Sequence, residues 1–205
     1  KKLDIDLTDM DYVSWREKLQ EDSETLELLT LIIRDITPEH DSKLQKLLEI
    51  ISDKIQHPFN ANNKKVLIFS AFSDTVDYLY DEVAPFVKER FGVDTAMITG
   101  TTSGKTTVKL QRTDMNTILT LFSPISKDKA LLMPNNPAEI DILIATDCIS
   151  EGQNLQDSDF CVNYDIHWNP VRIIQRFGRV DRIGSRNEKI QLVNFWPNIG
   201  LDKYL

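Results

Sequence analysis

The spacing of apolar residues changes character near residue 60. Before it the period is helical: Leu26, Leu29, Ile33 and Ile36 recur on one face until Pro38 stops them, and Leu44, Leu47, Leu48, Ile51 and Ile55 do so again behind the caps Asp41 and Ser42. This pattern predicts two amphipathic helices, each with one stripe to bury. The polar segment HPFNANNKK (57–65) closes this part. From Val66 short apolar runs alternate with helical patterns. VLIFSAF reads as a strand; a helix from Asp74 sets Val76, Leu79, Val83 and Val87 on one face, with Pro85 expected to kink or split it. The strand TAMIT, a helix carrying Val108, Met115, Ile118, Leu119 and Phe122, the strands IDILIAT and FCVNYDI, a helix from Pro170 and the strand IQLVNFW complete the series. Near-continuous apolar strands alternating with helices predict an α/β fold, a parallel sheet of about five or more strands with helices on both faces. The expected organisation is a helical segment over 1–60 and an α/β domain over 61–205, interrupted by a surface insertion at 123–139 that holds three prolines.

Composition narrows the class. Hydrophobic residues make up 41% of the 205, enough for a sizeable core. No apolar run is long enough to span a bilayer and the start has no apolar leader, so a cytoplasmic protein with no membrane partner is expected. The chain begins without Met and reads as a piece of a longer one. With 24 Lys and Arg against 32 Asp and Glu, the net charge of −8 excludes a protein that coats nucleic acid by bulk electrostatics, though not a local basic face. Cys148 and Cys161 lack a CxxC or a nearby His series; neither a disulfide nor a metal site is expected, and both read as buried, small apolar side chains.

Three stretches bear on chemistry. TGTTSGKTT (99–107) imitates a nucleotide-binding P-loop, but G-x-x-x-x-G-K-S/T needs four residues between its glycines and only three separate Gly100 from Gly104. It reads as a polar strand-to-helix turn. LIATD (143–147) imitates an acidic magnesium-binding strand, yet many buried strands end that way. QRFGRVDRIG (175–184) is the stronger signal. Asn169 and Pro170 start a helix that carries Val171, Ile173 and Ile174 inward, and Gln175, Arg179 and Arg182 follow one another on one face if the helix continues. Gly178 then marks either a close backbone approach or the helix end. Crowded Arg176, Arg179 and Arg182 suit either polyanion recognition or a solvated basic end paired with Asp181 or Glu188.

The order VLIFSAF, ITG, ILIATDCISEGQNLQ, VNYDIHWNPVRIIQRFGRVDRIGS resembles the second RecA-like lobe of superfamily-two helicases, specifically the Swi/Snf-type translocases and their bacterial RapA-like relatives. The likeness runs from about Asp41 to Trp196, and DSKLQKLLEII is similar to the helix that precedes the lobe. In such motors ATP and Mg2+ sit between two lobes and are held mainly by the first, whose P-loop and acidic motif are not recognisable here. The resemblance implies an N-terminal RecA-like lobe of the same chain and nucleic acid, double-stranded DNA by the translocase comparison, as partners. It makes VLIFSAF motif IV, ATDCISEGQNLQ motif V with its extension, and QRFGRVDR motif VI. Arg179 and Arg182 become arginine fingers reaching the γ-phosphate, Gln175 orients the cleft, Gly152 permits close backbone approach there, and Glu151 and Asn154 couple it to the nucleic-acid side. Ser70, Phe72, Thr101, Thr102 and Thr146 become grips on a phosphate backbone; Thr101 reads equally as a helix cap.

Two departures stand against the pattern. Thr146-Asp147-Cys148 occupies a place where remodelling enzymes show small residues, and Gln-Arg-x-Gly-Arg opens motif VI as in helicases that unwind. The expected function is the C-terminal lobe of an ATP-dependent DNA helicase or translocase, inactive as an isolated fragment. The alternatives are a non-catalytic RecA-like adaptor and a free-standing P-loop kinase built on Lys105 and Thr106.

Overall fold

Every position of VLIF, TAMI, ILIA and FCVN is buried, as strands covered on both faces require. In the computed structural model, which describes residues 11–34, 36–100, 104–149, 152–167 and 169–196, these runs belong to one sheet. Its strands are β1 (Val66–Phe69), β2 (Thr95–Ile98), β3 (Lys105–Thr106), β4 (Ile142–Ala145), β5 (Phe160–Asn163) and β6 (Gln191–Asn194), in the spatial order β3-β2-β4-β1-β5-β6. All pairings are parallel except that of β3 with β2. The predicted α/β sheet with covering helices is therefore present, with one antiparallel edge strand that apolar periodicity did not announce.

The helices are α1 (Tyr12–Arg34), α2 (Ser42–Gln56), α3 (Ser73–Phe91), α4 (Met115–Phe122), α5 (Lys129–Leu132) and α6 (Pro170–Val180). Alternation along the strands sends Leu67, Phe69, Ala96, Ile98, Leu143, Ala145 and Cys161 to one face, where they form a buried cluster with Ile118, Leu119 and Phe122 of α4 and Val180 of α6. The alternate positions Val66, Ile68, Met97, Ile142, Ile144 and Val162 are equally buried. Helix α3 buries the foreseen Val76, Leu79, Val83 and Val87 and passes through Pro85 without being split. It ends where Gly92, at φ 67°, donates its N–H to Lys88 O in the left-handed geometry that favours glycine. Asp114 caps α4 by accepting from Thr117 N and Thr117 Oγ1 at 3.1 and 2.7 Å, which holds its carboxyl below the usual value. Val108, expected on that helix, precedes it.

The polypeptide divides between Gln45 and Lys46 into two compact units. In the first, α1 forms as the spacing predicts but buries none of its residues, so its expected buried stripe is not realised: Leu26, Leu29 and Ile33 stay exposed. At the start of α2, Asp41 Oδ1 accepts from Lys43 N and Leu44 N, both at 3.0 Å. The predicted α2 stripe, Leu44, Leu47, Leu48, Ile51 and Ile55, is buried. Within 123–139, α5 adds a short turn of helix, and Asp157 accepts from Ile125 N, Ser126 N and Ser126 Oγ. No helix among the described residues is long and apolar enough to cross a membrane.

Both cysteines carry free thiols, but only Cys161 is buried; Cys148 is exposed, against expectation. The reason is position: Cys161 lies inside β5, whereas Cys148 lies past the end of β4, in the short 3-10 turn Asp147–Ile149. Burial pushes the Cys161 thiol up to about 12, with Arg176 opposing weakly. A thiol reagent at pH 8 should accordingly modify one cysteine, Cys148, in the folded chain and both after denaturation. Mass mapping that found Cys161 modified at a similar rate would contradict the packing of β5.

Candidate functional site

Four of the parallel strands and β6 end level with one another: Ile98, Ala145, Phe69, Asn163 and Asn194 share one register row. The ladder continues one residue further through Thr146 N to Ile98 O (3.1 Å), Ser70 N to Ala145 O (3.0 Å), Tyr164 N to Phe69 O (2.8 Å) and Phe195 N to Asn163 O (3.1 Å). Thr99, Thr146, Ser70 and Tyr164 thus stand side by side at the carboxyl edge, the edge where open α/β sheets bind ligands. Ser70 and Thr146 are thereby brought together. The Ser70 hydroxyl is fully buried, donating to Asp165 Oδ2 at 2.5 Å and accepting from Phe72 N at 3.2 Å. Phe72 is 64% exposed. Thr101, Thr102 and Glu151 lie outside the described residues.

Arg176 is the largest fully buried side chain of the chain's described part. It occupies the inward face of α6, where the sequence reading set it among the surface cations. Its Nε and Nη2 donate to Asp147 Oδ1 and Oδ2 at 2.6 and 2.9 Å, and its Nη1 donates to Asn163 Oδ1 at 3.0 Å and Asp165 O at 3.2 Å. The guanidinium lies 5.1 Å from the centre of the Phe69 ring. Asn163 Nδ2 in turn donates to Asn194 Oδ1 at 2.8 Å. One arginine therefore joins the loop after β4, the ends of β5 and β6, and α6. Its partner Asp147 was visible only as the acid ending LIATD, and 29 residues of separation form no recognisable pattern.

The rest of α6 follows from that inward face. Asn169 caps it, accepting from Val171 N at 3.0 Å, with Pro170 next, as predicted. Val171 and Ile174, expected inward, are 51% and 68% exposed, because Arg176 and Val180 take the buried side. Gln175 and Arg179 are half-buried one turn apart, and Gln175 Oε1 and Arg179 Nε are shielded from solvent without a hydrogen-bond partner among the described residues. Arg182 does not share their helical face: α6 ends at Val180, and Arg182 is exposed beyond the Asp181 cap. Gly178 neither ends the helix nor meets a neighbour, since a Cβ there would have nothing within 4 Å.

The segment before α6 is tied to it where Leu155 N donates to Arg179 O at 3.0 Å. Asn154 Oδ1 turns into its own loop, accepting from Gln156 N at 3.3 Å. Gly152 has φ 72° and open space around a would-be Cβ, so within this chain it serves conformation rather than close approach.

TGTTSGKTT is not a P-loop. Lys105 and Thr106 form β3 instead of opening a helix, and α4 begins only at Met115. Lys105 Nζ pairs with Asp77 at 2.7 Å, a hydrogen bond that raises its pKa, and Thr106 Oγ1 donates to Thr95 O at 3.0 Å. Gly104 is required by packing: a Cβ would fall 2.3 Å from Ile118 Cδ1 and within about 3 Å of the Thr113 and Met97 carbonyls. These engagements remove the basis for a kinase built on Lys105. No cluster of His, Cys, Asp and Glu able to hold a metal occurs among the described residues.

The family described as helicase conserved C-terminal domain matches residues 42–184. The chain belongs to that family. It is a second RecA-like lobe of the superfamily-two helicase type, as the order of its motifs implied. Among curated relatives, the uncharacterized ATP-dependent helicase YqhH of Bacillus subtilis (strain 168) is 46% identical over 50 residues, 24% of this chain and 9% of that protein. The RNA polymerase-associated protein RapA of Pectobacterium atrosepticum is 40% identical over 57 residues, 28% of this chain and 6% of that protein. The chain thus spans under a tenth of the length of either. The crystal structure of the C-terminal part of the Fun30 ATPase domain superposes with a TM-score of 0.51 at 22% identity, covering 74% of this chain and 39% of that one, which is a likeness of fold. The carboxyl edge holds Thr146 and Ser70, and α6 holds Gln175 and Arg179.

Proposed function

We propose that this helicase lobe works in an ATP-dependent, Swi/Snf-type DNA translocase, completing an ATP site whose other half, with the P-loop and the Mg2+-holding acid, is supplied by a first RecA-like lobe. The observation that carries the reading is on α6. Gln175 and Arg179 stand one turn apart, each with a polar atom withheld from water and without a partner among the described residues, which supports a role in meeting a ligand. In this reading Arg179 reaches across the cleft to the γ-phosphate, where charge gathers on oxygen as the phosphoryl group passes to water. Gln175 orients the same cleft. Arg182, exposed beyond the helix end, becomes the second finger as the first lobe closes over it.

The carboxyl edge is then the grip on nucleic acid, with Thr146 on the common row, Phe72 exposed near it, Asn154, and, outside the described residues, Thr101 and Thr102; Ser70, its hydroxyl and N–H both engaged inside the fold, supports this edge from within, and Gly152 and Glu151 serve the nucleotide cleft. Hydroxyls and backbone N–H groups hold phosphates without reading bases, which accords with a net charge of −8. The test is direct. The isolated 205-residue lobe should show no DNA-stimulated ATP hydrolysis, and joining it to its first lobe should restore it. Turnover by the lobe alone would refute the shared site, and stimulation by RNA but not DNA would overturn the choice of track.

A further inference from the structure

We infer that α1 is one half of a helical pair whose other half is a helix of the first-lobe part of the same polypeptide, apolar along its seam and carrying a Lys or Arg level with Asp22. The inference rests on the first lobe of the motor proposed above, and on none of that motor's chemistry.

The seam is legible residue by residue. Tyr12, Trp15, Leu19, Asp22, Leu26, Leu29 and Ile33 follow one another at alternating steps of three and four, the heptad spacing by which one helix packs along another. Yet α1 buries none of its 23 residues, and Leu19, Leu26 and Ile33 are 67%, 63% and 64% exposed. Most of a helix's stability in a folded protein comes from packing such a face. Here the face is present and uncovered. Toward the C-terminal end the apolar arc widens as Leu28, Leu31 and Ile32 join the seam residues, and a helix apolar on most sides belongs inside a bundle. Left open, this surface invites aggregation, so it calls for a cover that is always at hand. A tethered segment meets that need, because the tether keeps its local concentration high. The chain matches 9% of YqhH and 6% of RapA, so such relatives carry ample polypeptide beyond the match.

Asp22 defines the partner's chemistry. It is the one charged residue on the seam. A second copy of α1 fits poorly: a parallel pair sets the two Asp22 carboxylates together, and an antiparallel pair lays each against an apolar seam residue. Both bury the carboxylate without a counter-ion. A Lys or Arg at that level supplies the counter-ion and fixes the register, as a single polar seam residue does in paired helices. Arg16 and Lys18 flank the seam, which calls for acidic residues opposite them.

Amide exchange of α1 tests the pairing, read by mass spectrometry in the isolated lobe and in the two-lobe chain, where the first lobe is joined to this one. Across Tyr12–Arg34 exchange should be about a hundredfold slower in the two-lobe chain. Asp22→Arg puts a good helix former at an exposed position and sets cation against cation. It should leave exchange in the isolated lobe unchanged and bring α1 of the two-lobe chain to within about tenfold of the isolated rate. Equal exchange in the two parent chains overturns the inference. So does protection already present in the isolated lobe: if it rises with concentration the occupant is a second copy, and if it does not the lobe covers its own helix. Protection that survives Asp22→Arg overturns the seam and the partner's chemistry with it. DNA-stimulated turnover of the same preparations judges the motor reading separately.

Discussion

Arg179→Ala in the two-lobe chain is expected to lower DNA-stimulated ATP turnover by about a thousandfold or more, with the fold intact. The size follows from where the charge acts. A guanidinium aimed at the transferring phosphoryl group works in a closed site where little water screens it, and its effect is larger on the transition state than on bound ATP. The loss should therefore appear in kcat, with nucleotide affinity changed far less. The fold should survive because what Arg179 contributes to packing is its carbonyl, the acceptor for Leu155 N at 3.0 Å, which alanine keeps. Its Nε has no partner to orphan among the described residues. Steady-state turnover and a thermal melt on one preparation decide it. Near-normal kcat would remove Arg179 from the catalytic role.

The second large effect is on stability. Asp159→Ala should cost about 3–5 kcal/mol, read from denaturant unfolding of this lobe. Lys54 Nζ lies 2.8 Å from both carboxylate oxygens of Asp159, and both side chains are almost completely buried. Asn60 Nδ2 adds a bond of 2.7 Å to the same carboxylate, and the ammonium sits 3.9 Å from the Phe59 ring centre. Alanine leaves that ammonium in a dry site, facing the Phe59 and Phe160 rings without its counter-ion. Burial already pulls Lys54 below the ordinary lysine value, with Asp159 opposing the pull. Without Asp159 the folded state gives up the lysine proton still earlier than the unfolded state does. Where the unfolded state binds more protons, stability rises with pH, so the deficit of the variant should shrink as the pH climbs from 7 toward the lysine range. A deficit under 1 kcal/mol, or one that grows with pH, would show that the pair contributes little.

Much of the scaffold could be read from residue order because it depends on local rules. A run such as VLIF declares a strand buried on both faces, and Val76, Leu79, Val83 and Val87 can share a face only in a helix. Asn169-Pro170 names the start of α6 because one residue accepts the orphan N–H and the next has none to satisfy. The motif order went further and marked the family. What failed was local inference about partners. Val171 and Ile174 look like core residues, yet they are exposed because a charged residue, Arg176, holds the inward face. Spacing alone placed Arg182 with Arg179, but α6 stops between them.

The sequence alone determined the five parallel strands, most helices, the caps and the helicase-lobe pattern, since propensity, period and capping act over a few residues. Tertiary structure alone decided that Lys105 joins a strand and pairs with Asp77, that Cys148 is open and Cys161 closed, and that Arg176 is buried upon Asp147. Each of these turns on which distant group lies within hydrogen-bond reach, or on whether a neighbouring element excludes water. Those distances exist only once the chain has folded.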